Sequence, residues 1–209
     1  MIIKAKHHFL LYPFFKWYAQ YRMKKHHSTI RISGEFTDRK LPVLLIANHI
    51  SWWDGFWAVY VNEQLLQRKF HFMMLEEQLK KHWYFQYTGG FSVRKHSRTI
   101  VESLRYAADL LSDPHNIVLI FPQGEIQSMH QQDIHFESGL EQILKNKEKK
   151  VQVLMMASLP DYFSEPRPGI TFYICEYNGE RFDKQSIEQQ YAAFYANAIQ
   201  QQLKTTNKG

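Results

Sequence analysis

Leu41-Pro42-Val43-Leu44-Leu45-Ile46-Ala47-Asn48-His49-Ile50-Ser51-Trp52-Trp53-Asp54 is the stretch on which the reading of this chain turns. After the proline comes an unbroken apolar run, the pattern of a strand covered on both faces, as in a parallel sheet between helix layers. A helix is predicted next, from about Gly55 through Leu66. His49 and Asp54 stand five residues apart. Within one helix that spacing would put their side chains about 140° apart and out of reach. On a strand-to-helix turn they can meet. A carboxylate there can hold one imidazole nitrogen and leave the other free as a base. The same segment also suits a plain helix cap, with Ser51 or Asp54 as the capping group. Taken alone, a histidine and an aspartate at this distance serve a structural turn more often than a reaction.

Outward from this stretch, strands and helices alternate. Ile30, Ile32 and Gly34 alternate with Thr29, Arg31 and Ser33, as in a half-buried strand. Further strands are predicted at Phe70 to Leu75, Phe91 to Val93, Ile117 to Phe121, Val151 to Ala157 and Thr171 to Glu176, the last leading to an Asn178-Gly179 turn. Helices are predicted from Glu76 to Phe85, from a Thr99-x-x-Glu102 capping box to the Asp113-Pro114 stop, and from Lys184 to Leu203. The lysine-rich run from Lys145 to Lys150 reads as a solvated loop or helix end. There is no internal repeat and no low-complexity linker. The expected class is α/β: one layered domain with a mostly buried central sheet flanked by helices.

Residues 1–27 read as an amphipathic N-terminal helix, and 28–209 as the domain proper. Phe9, Leu10, Leu11, Phe14, Phe15, Trp17, Tyr18 and Tyr21 are dense for an exposed helix, and Lys16, Arg22, Lys24 and Lys25 accompany them. Two readings stand at this point: a helix lying in a lipid headgroup layer, or an ordinary helix packed on the core. Trp17 and Tyr18 lean toward the first. Pro13 and the cations after it do not match a cleavable signal. No run reaches the roughly 18 apolar residues of a spanning helix. His7-His8 and His26-His27 belong to this basic segment rather than to a metal site.

A length of 209 residues fits one domain, and 44% hydrophobic with 22% charged residues excludes a disordered tail or a fibre. Lysine and arginine (26) exceed aspartate and glutamate (20) by 6, which favours anionic partners. The cations are spread along the chain and form no recognised DNA- or RNA-binding signature, so nucleic acid is not an expected partner. Cys175 is the single cysteine, which excludes an intramolecular disulfide framework and a cysteine-rich zinc site.

Two more stretches bear on chemistry. Gly89-Gly90-Phe91-Ser92-Val93-Arg94-Lys95 places two cations just beyond a short strand. Phe121-Pro122-Gln123-Gly124-Glu125 stands at the carboxyl end of another, where open α/β sheets keep their sites. Its proline and glycine allow a tight turn. In order and spacing, N-H-x-x-x-x-D, G-x-F-x-V-R and F-P-x-G resemble the glycerophospholipid acyltransferases, the family of 1-acylglycerol-3-phosphate O-acyltransferase. The resemblance runs from about Ile30 to Pro160, with Val151 to Pro160 standing where the family has its fourth block.

That resemblance implies roles. His49 would be the general base, taking a proton from an acceptor hydroxyl as its oxygen attacks an acyl thioester. Asp54 would orient His49 and stabilise its charge. Arg94 would bind an anionic part of the acceptor, and Phe121, Pro122 and Gly124 would shape the acceptor pocket. Gly139 aligns loosely with a later family glycine. No metal or cofactor is implied; the co-substrate would be acyl-CoA or acyl carrier protein.

The third block departs from the family's usual F-P-E-G-T-R: Gln123 replaces the glutamate, Glu125 the threonine and Ile126 the arginine. A cation is lost and a carboxylate is displaced, which opposes a phosphate nearby. The expected acceptor is a lysophospholipid or glycerolipid hydroxyl. The alternatives are a non-phosphate acceptor such as a glycolipid or carotenoid-type hydroxyl, which Gln123 and Glu125 could hydrogen-bond, and a non-catalytic lipid-binding relative. Retention of both His49 and Asp54 speaks against the last. The expected location is the membrane surface, as a peripheral protein on the cytoplasmic face.

Overall fold

The predicted central strand is the hub of the sheet in the computed structural model, which describes residues 2–94, 99–145, 147 and 150–205. Lys95 and, from the lysine-rich run, Asn146, Glu148 and Lys149 lie outside the described residues. β2 (Val43–Ala47) is buried along its whole length and runs parallel between β5 (Asn116–Ile120) and β6 (Gln152–Asp161). Beyond β5 come β3 (Lys69–Leu75) and β4 (Gly90–Val93), both parallel to it. On the other side β7 (Gly169–Glu176) pairs antiparallel with β6, and β1 (Ile30–Ser33) joins β7 in parallel. The seven strands therefore run in the order β1-β7-β6-β2-β5-β3-β4.

Residues of β2 alternate between two cores, as the pleat requires. Leu44 and Ile46 face α4 (Ile100–Leu110), α5 (Leu140–Leu144) and α6 (Lys184–Leu203). Val43, Leu45 and Ala47 face α1 (Leu11–His26) and α2 (Asp54–Leu65). Because both faces are dry, polar residues do not interrupt the run. This is why the strand was legible in the sequence.

Three expectations need correction. The residues before Leu11 are not helical. They run beside β4, an outer strand of the sheet: Ser92 N–H donates to Ile3 O (2.9 Å), Gly89 N–H to Lys6 O (3.2 Å) and His8 N–H to Tyr87 O (3.0 Å). This segment covers an edge that would otherwise offer free amides and carbonyls, and Pro13 then falls in the first turn of α1, where its missing N–H is harmless. The predicted helix from Glu76 stops early: α3 (Glu76–Lys81) ends at His82, and a 3-10 turn, Trp83–Tyr87, follows. The tighter turn brings the Phe85 ring within 5.8 Å of both Phe15 and Phe72, centroid to centroid. The short helix α5 was not foreseen, since five residues carry too little periodicity to read.

Gly89 is where the N-terminal segment and the sheet approach most closely. Its φ is +106°, and a Cβ would stand 2.0 Å from Phe70 O and 2.9 Å from His7 Nε2. Gly89→Ala is expected to lose more than about 2 kcal/mol through strain and overlap. Thermal unfolding should register a drop of at least about 4 °C for a chain of this size. A melting temperature unchanged from wild type would show that this crossing relaxes freely.

Candidate active site

The site begins where β2 leaves the sheet. The side-chain amide of Asn48, fully buried, takes the place of the next peptide in the ladder to β6: Nδ2 donates to Ser158 O (3.1 Å) and Oδ1 accepts from Ser158 N–H (2.8 Å). The neighbouring strand keeps its hydrogen bonds while the β2 backbone turns away. His49 follows on that turn, with its side chain 23% exposed.

Asp54, the first residue of α2, points its carboxylate back into the turn. Oδ2 accepts from His49 Nδ1 (2.7 Å), Ile50 N–H (2.7 Å) and Ser51 N–H (3.0 Å). The two readings of this segment thus merge: the carboxylate closes the turn and holds the imidazole. An ionised Asp54 requires hydrogen on Nδ1, so the neutral ring presents Nε2 as a lone pair. Geometrically, His49 and Asp54 form a dyad.

The turn after β5 lies against this histidine. The Phe121 ring stacks on the His49 ring, with centroids 4.1 Å apart and planes 9° apart. Pro122 O accepts from Glu137 N–H (2.7 Å), and Gly124 adopts φ +72°, a left-handed position that favours glycine. Gln123 is buried; its Oε1 accepts from His49 N–H (2.6 Å) and its Nε2 donates to Gln127 Oε1 (2.7 Å). Glu125 and Ile126 are exposed.

Arg94 follows β4. Since β2, β3, β4 and β5 are mutually parallel, it lies at the same end of the sheet as His49 and Phe121. Its guanidinium grips Glu76 with two bonds, Nε to Oε2 (2.5 Å) and Nη2 to Oε1 (2.7 Å), and Lys80 Nζ adds a third (2.6 Å). Arg94 and then Lys80 pull the Glu76 carboxyl down to about 2, so it stays ionised through the physiological range.

The family model for acyltransferases matches residues 29–162, nearly two thirds of the chain and the whole of this site except its flanking helices. The chain belongs to the acyltransferase family. Its fold is that of the 1-acyl-sn-glycerophosphate (LPA) acyltransferase PlsC from Thermotoga maritima, with a TM-score of 0.69 at 15% sequence identity, over 94% of this chain and 81% of that one. A search of curated proteins by sequence found no match.

Within this acyltransferase domain some participants carried no signal of their own. Glu76 reads as an ordinary helix-start residue, and Gln127 as part of a polar loop; only the tertiary contact with His49 singles the latter out. Gly139, the loosely aligned glycine, begins α5 with φ +132°, and its Cβ would press on Leu104 Cδ1 at 3.0 Å, a packing position. Among the described residues no group of three or more metal-ligating side chains comes together.

Asp54 is 1% exposed, and its second oxygen, Oδ1, has no hydrogen-bond partner among the described residues. Burial pushes its pKa above the ordinary carboxylate value, against the hydrogen bonds from His49, Ser51 and Ile50. A carboxyl whose pKa is raised by folding binds its proton more tightly in the native state. Ionising it therefore removes stability as pH rises from the unfolded value through the native one. Asp54→Asn carries no such charge, so its melting temperature relative to wild type should rise as the pH climbs above about 4. The asparagine oxygen would keep the Oδ2 position, where three donors converge, but would bring no negative charge to stabilise an imidazolium at His49. Turnover should fall about 10³–10⁴-fold, by analogy with a triad aspartate. Melting curves and acyl-transfer rates across pH check both halves.

Proposed function

We propose that this acyltransferase transfers a fatty acyl group from an acyl thioester, acyl-CoA or acyl carrier protein, to a lipid hydroxyl at the cytoplasmic face of a membrane. The observation that carries the reading is the His49–Asp54 pair, with Nδ1 held at 2.7 Å and the His49 side chain partly exposed. His49 Nε2 takes the acceptor O–H proton as the oxygen bonds to the thioester carbonyl carbon. The carbon–sulfur bond then breaks, and the imidazolium returns the proton to the leaving thiolate. Asp54 stabilises the imidazolium in between. Both donors are anionic, in keeping with the net charge of +6.

The outer side of α1 supports the membrane reading. Leu10, Phe14, Trp17 and Tyr21 form an exposed stripe at helical spacing, while Tyr12, Phe15, Ala19 and Met23 form a second stripe turned toward the core. The outward stripe, ending beside Lys24 and Lys25, suits an acidic lipid surface. Trp52, exposed three residues after His49, packs on Phe56 at 5.1 Å, and Phe56 in turn meets Phe15 and Tyr18 of α1. Aromatic packing thus links the helix to the turn that carries His49. No described helix is long and apolar enough to cross a membrane.

A second reading concerns the acceptor. Arg94 is clasped by Glu76, and Ile126 stands where the family's cation would be. A phosphate at Arg94 would meet a carboxylate with it. A hydroxyl lipid without phosphate meets no such repulsion, so this acceptor class stands beside the lysophospholipid.

The test is acyl transfer on vesicles containing acidic lipid, read as thiol release and as acylated product, with lysophosphatidic acid, other lysophospholipids and neutral hydroxyl lipids as acceptors. His49→Ala should lower the rate about 10³-fold or more. Transfer that persists in the variant, or none with either donor, would sink the mechanism. Phe14→Ser/Trp17→Ser should weaken vesicle co-sedimentation at least about tenfold, two large apolar side chains being withdrawn from lipid.

A further inference from the structure

The turn after β5 grips His49 through its backbone as well as its ring. Gln123 Oε1 accepts the His49 N–H at 2.6 Å, and Gln127 N–H donates to the His49 carbonyl at 2.9 Å. The two glutamine side chains then join, Nε2 to Oε1, at 2.7 Å. The hydrogen bonds close into a ring through His49, Gln123 and Gln127. Gln123 is 4% exposed, so water does not readily replace a lost partner. Both ends of its amide are engaged by the protein, and the residue is nearly sealed from solvent.

We propose that Gln123 and Gln127 are positioning residues, forming a charge-neutral clamp that holds His49 in place and keeps a second carboxylate away from it. The inference rests on the reading of His49 as the general base. A glutamate at 123 would also accept the His49 amide, but it would face Gln127 Oε1, another acceptor, unless that amide flipped. It would also place a second negative charge beside the one on Asp54, favouring the imidazolium and making it a poorer acid toward the leaving thiolate. The other titratable groups around the dyad are Glu125, exposed on the same turn, and Tyr191 of α6, whose hydroxyl feels Asp54. Glu125 faces water and is screened. Residue 123 is therefore the position where a charge would act on the ring from within the protein.

The experiment combines steady-state kinetics of Gln123→Leu, Gln127→Ala, the double variant and Gln123→Glu with NMR titration of the His49 ring protons from roughly pH 5 to 9. Gln123→Leu should lower kcat about 10- to 100-fold, the scale of a small misplacement of a reacting group, with the acceptor KM within about twofold. The double variant should be no slower than Gln123→Leu, because either change opens the same ring. Gln123→Glu, an isostere that keeps the acceptor, should retain most of its kcat at high pH. The acid limb of its rate profile should move up by about half to one pH unit, and the His49 titration should move with it.

A raised acceptor KM with unchanged kcat in Gln123→Leu would give Gln123 to substrate binding and overturn the proposal. So would a His49 titration that does not move in Gln123→Glu. The NMR arm needs no turnover: if wild type transfers no acyl group while the titration still moves, the positioning role stands and the acyl-transfer mechanism is what fails.

Discussion

A single carboxylate oxygen organises the site. Asp54 Oδ2 accepts from the His49 ring and from two successive backbone amides, Ile50 and Ser51, in a position sealed from solvent. Such a group is worth burying only when its charge is matched by donors. The surroundings supply them. β2 delivers the turn from the middle of the sheet, Asn48 ends the ladder without leaving a backbone group unpaired, and α2 starts at the residue that carries the carboxylate. Displacing any of these would leave a buried charge short of partners. The geometry of the turn and the placement of the His49 ring are therefore one constraint.

Around this charge the described polar partners are uncharged or paired. Gln123 offers an oxygen to His49 without a charge, and the Arg94 cation is already balanced by Glu76. Glu125, on the same turn as Gln123, faces solvent. Gln123 and Ile126 leave one carboxylate and one cation fewer at these two positions of the turn than the family pattern has, while Glu125 adds a carboxylate at its exposed end.

The N-terminal helix illustrates how a pattern that resists reading can still be physically plain. Its apolar residues fall into two stripes on opposite sides of the helix, one in the core with α2 and one in solvent. Summed around the axis, the stripes nearly cancel. In the sequence the two stripes are not told apart, so core packing and a membrane face compete as explanations. In the folded chain the two sides serve separately.

Much of the fold was written in local pattern. The run from Val43 to Ala47 announces a strand dry on both faces, and Lys184 to Leu203 is a helix over its predicted length, capped by Asp183 through the Ser186 amide. The blocks around His49, Arg94 and Phe121 are likewise local, since a turn at a strand's end needs particular residues wherever the strand lies. Strand order is different: nothing local in β2 says that β5 and β6 will be its neighbours. The partners that depend on that order were hidden for the same reason. Gln123 and His49 are 74 residues apart, Asn48 and Ser158 are 110 apart, and the edge-covering segment before Leu11 meets β4 across a similar gap. The sequence by itself determined the α/β class, most of its strands and helices, and the strand-to-helix turn that carries His49 and Asp54. Only the tertiary structure decided which groups close around them, because a hydrogen bond between distant residues leaves no periodic trace and exists only once the sheet has set its neighbours.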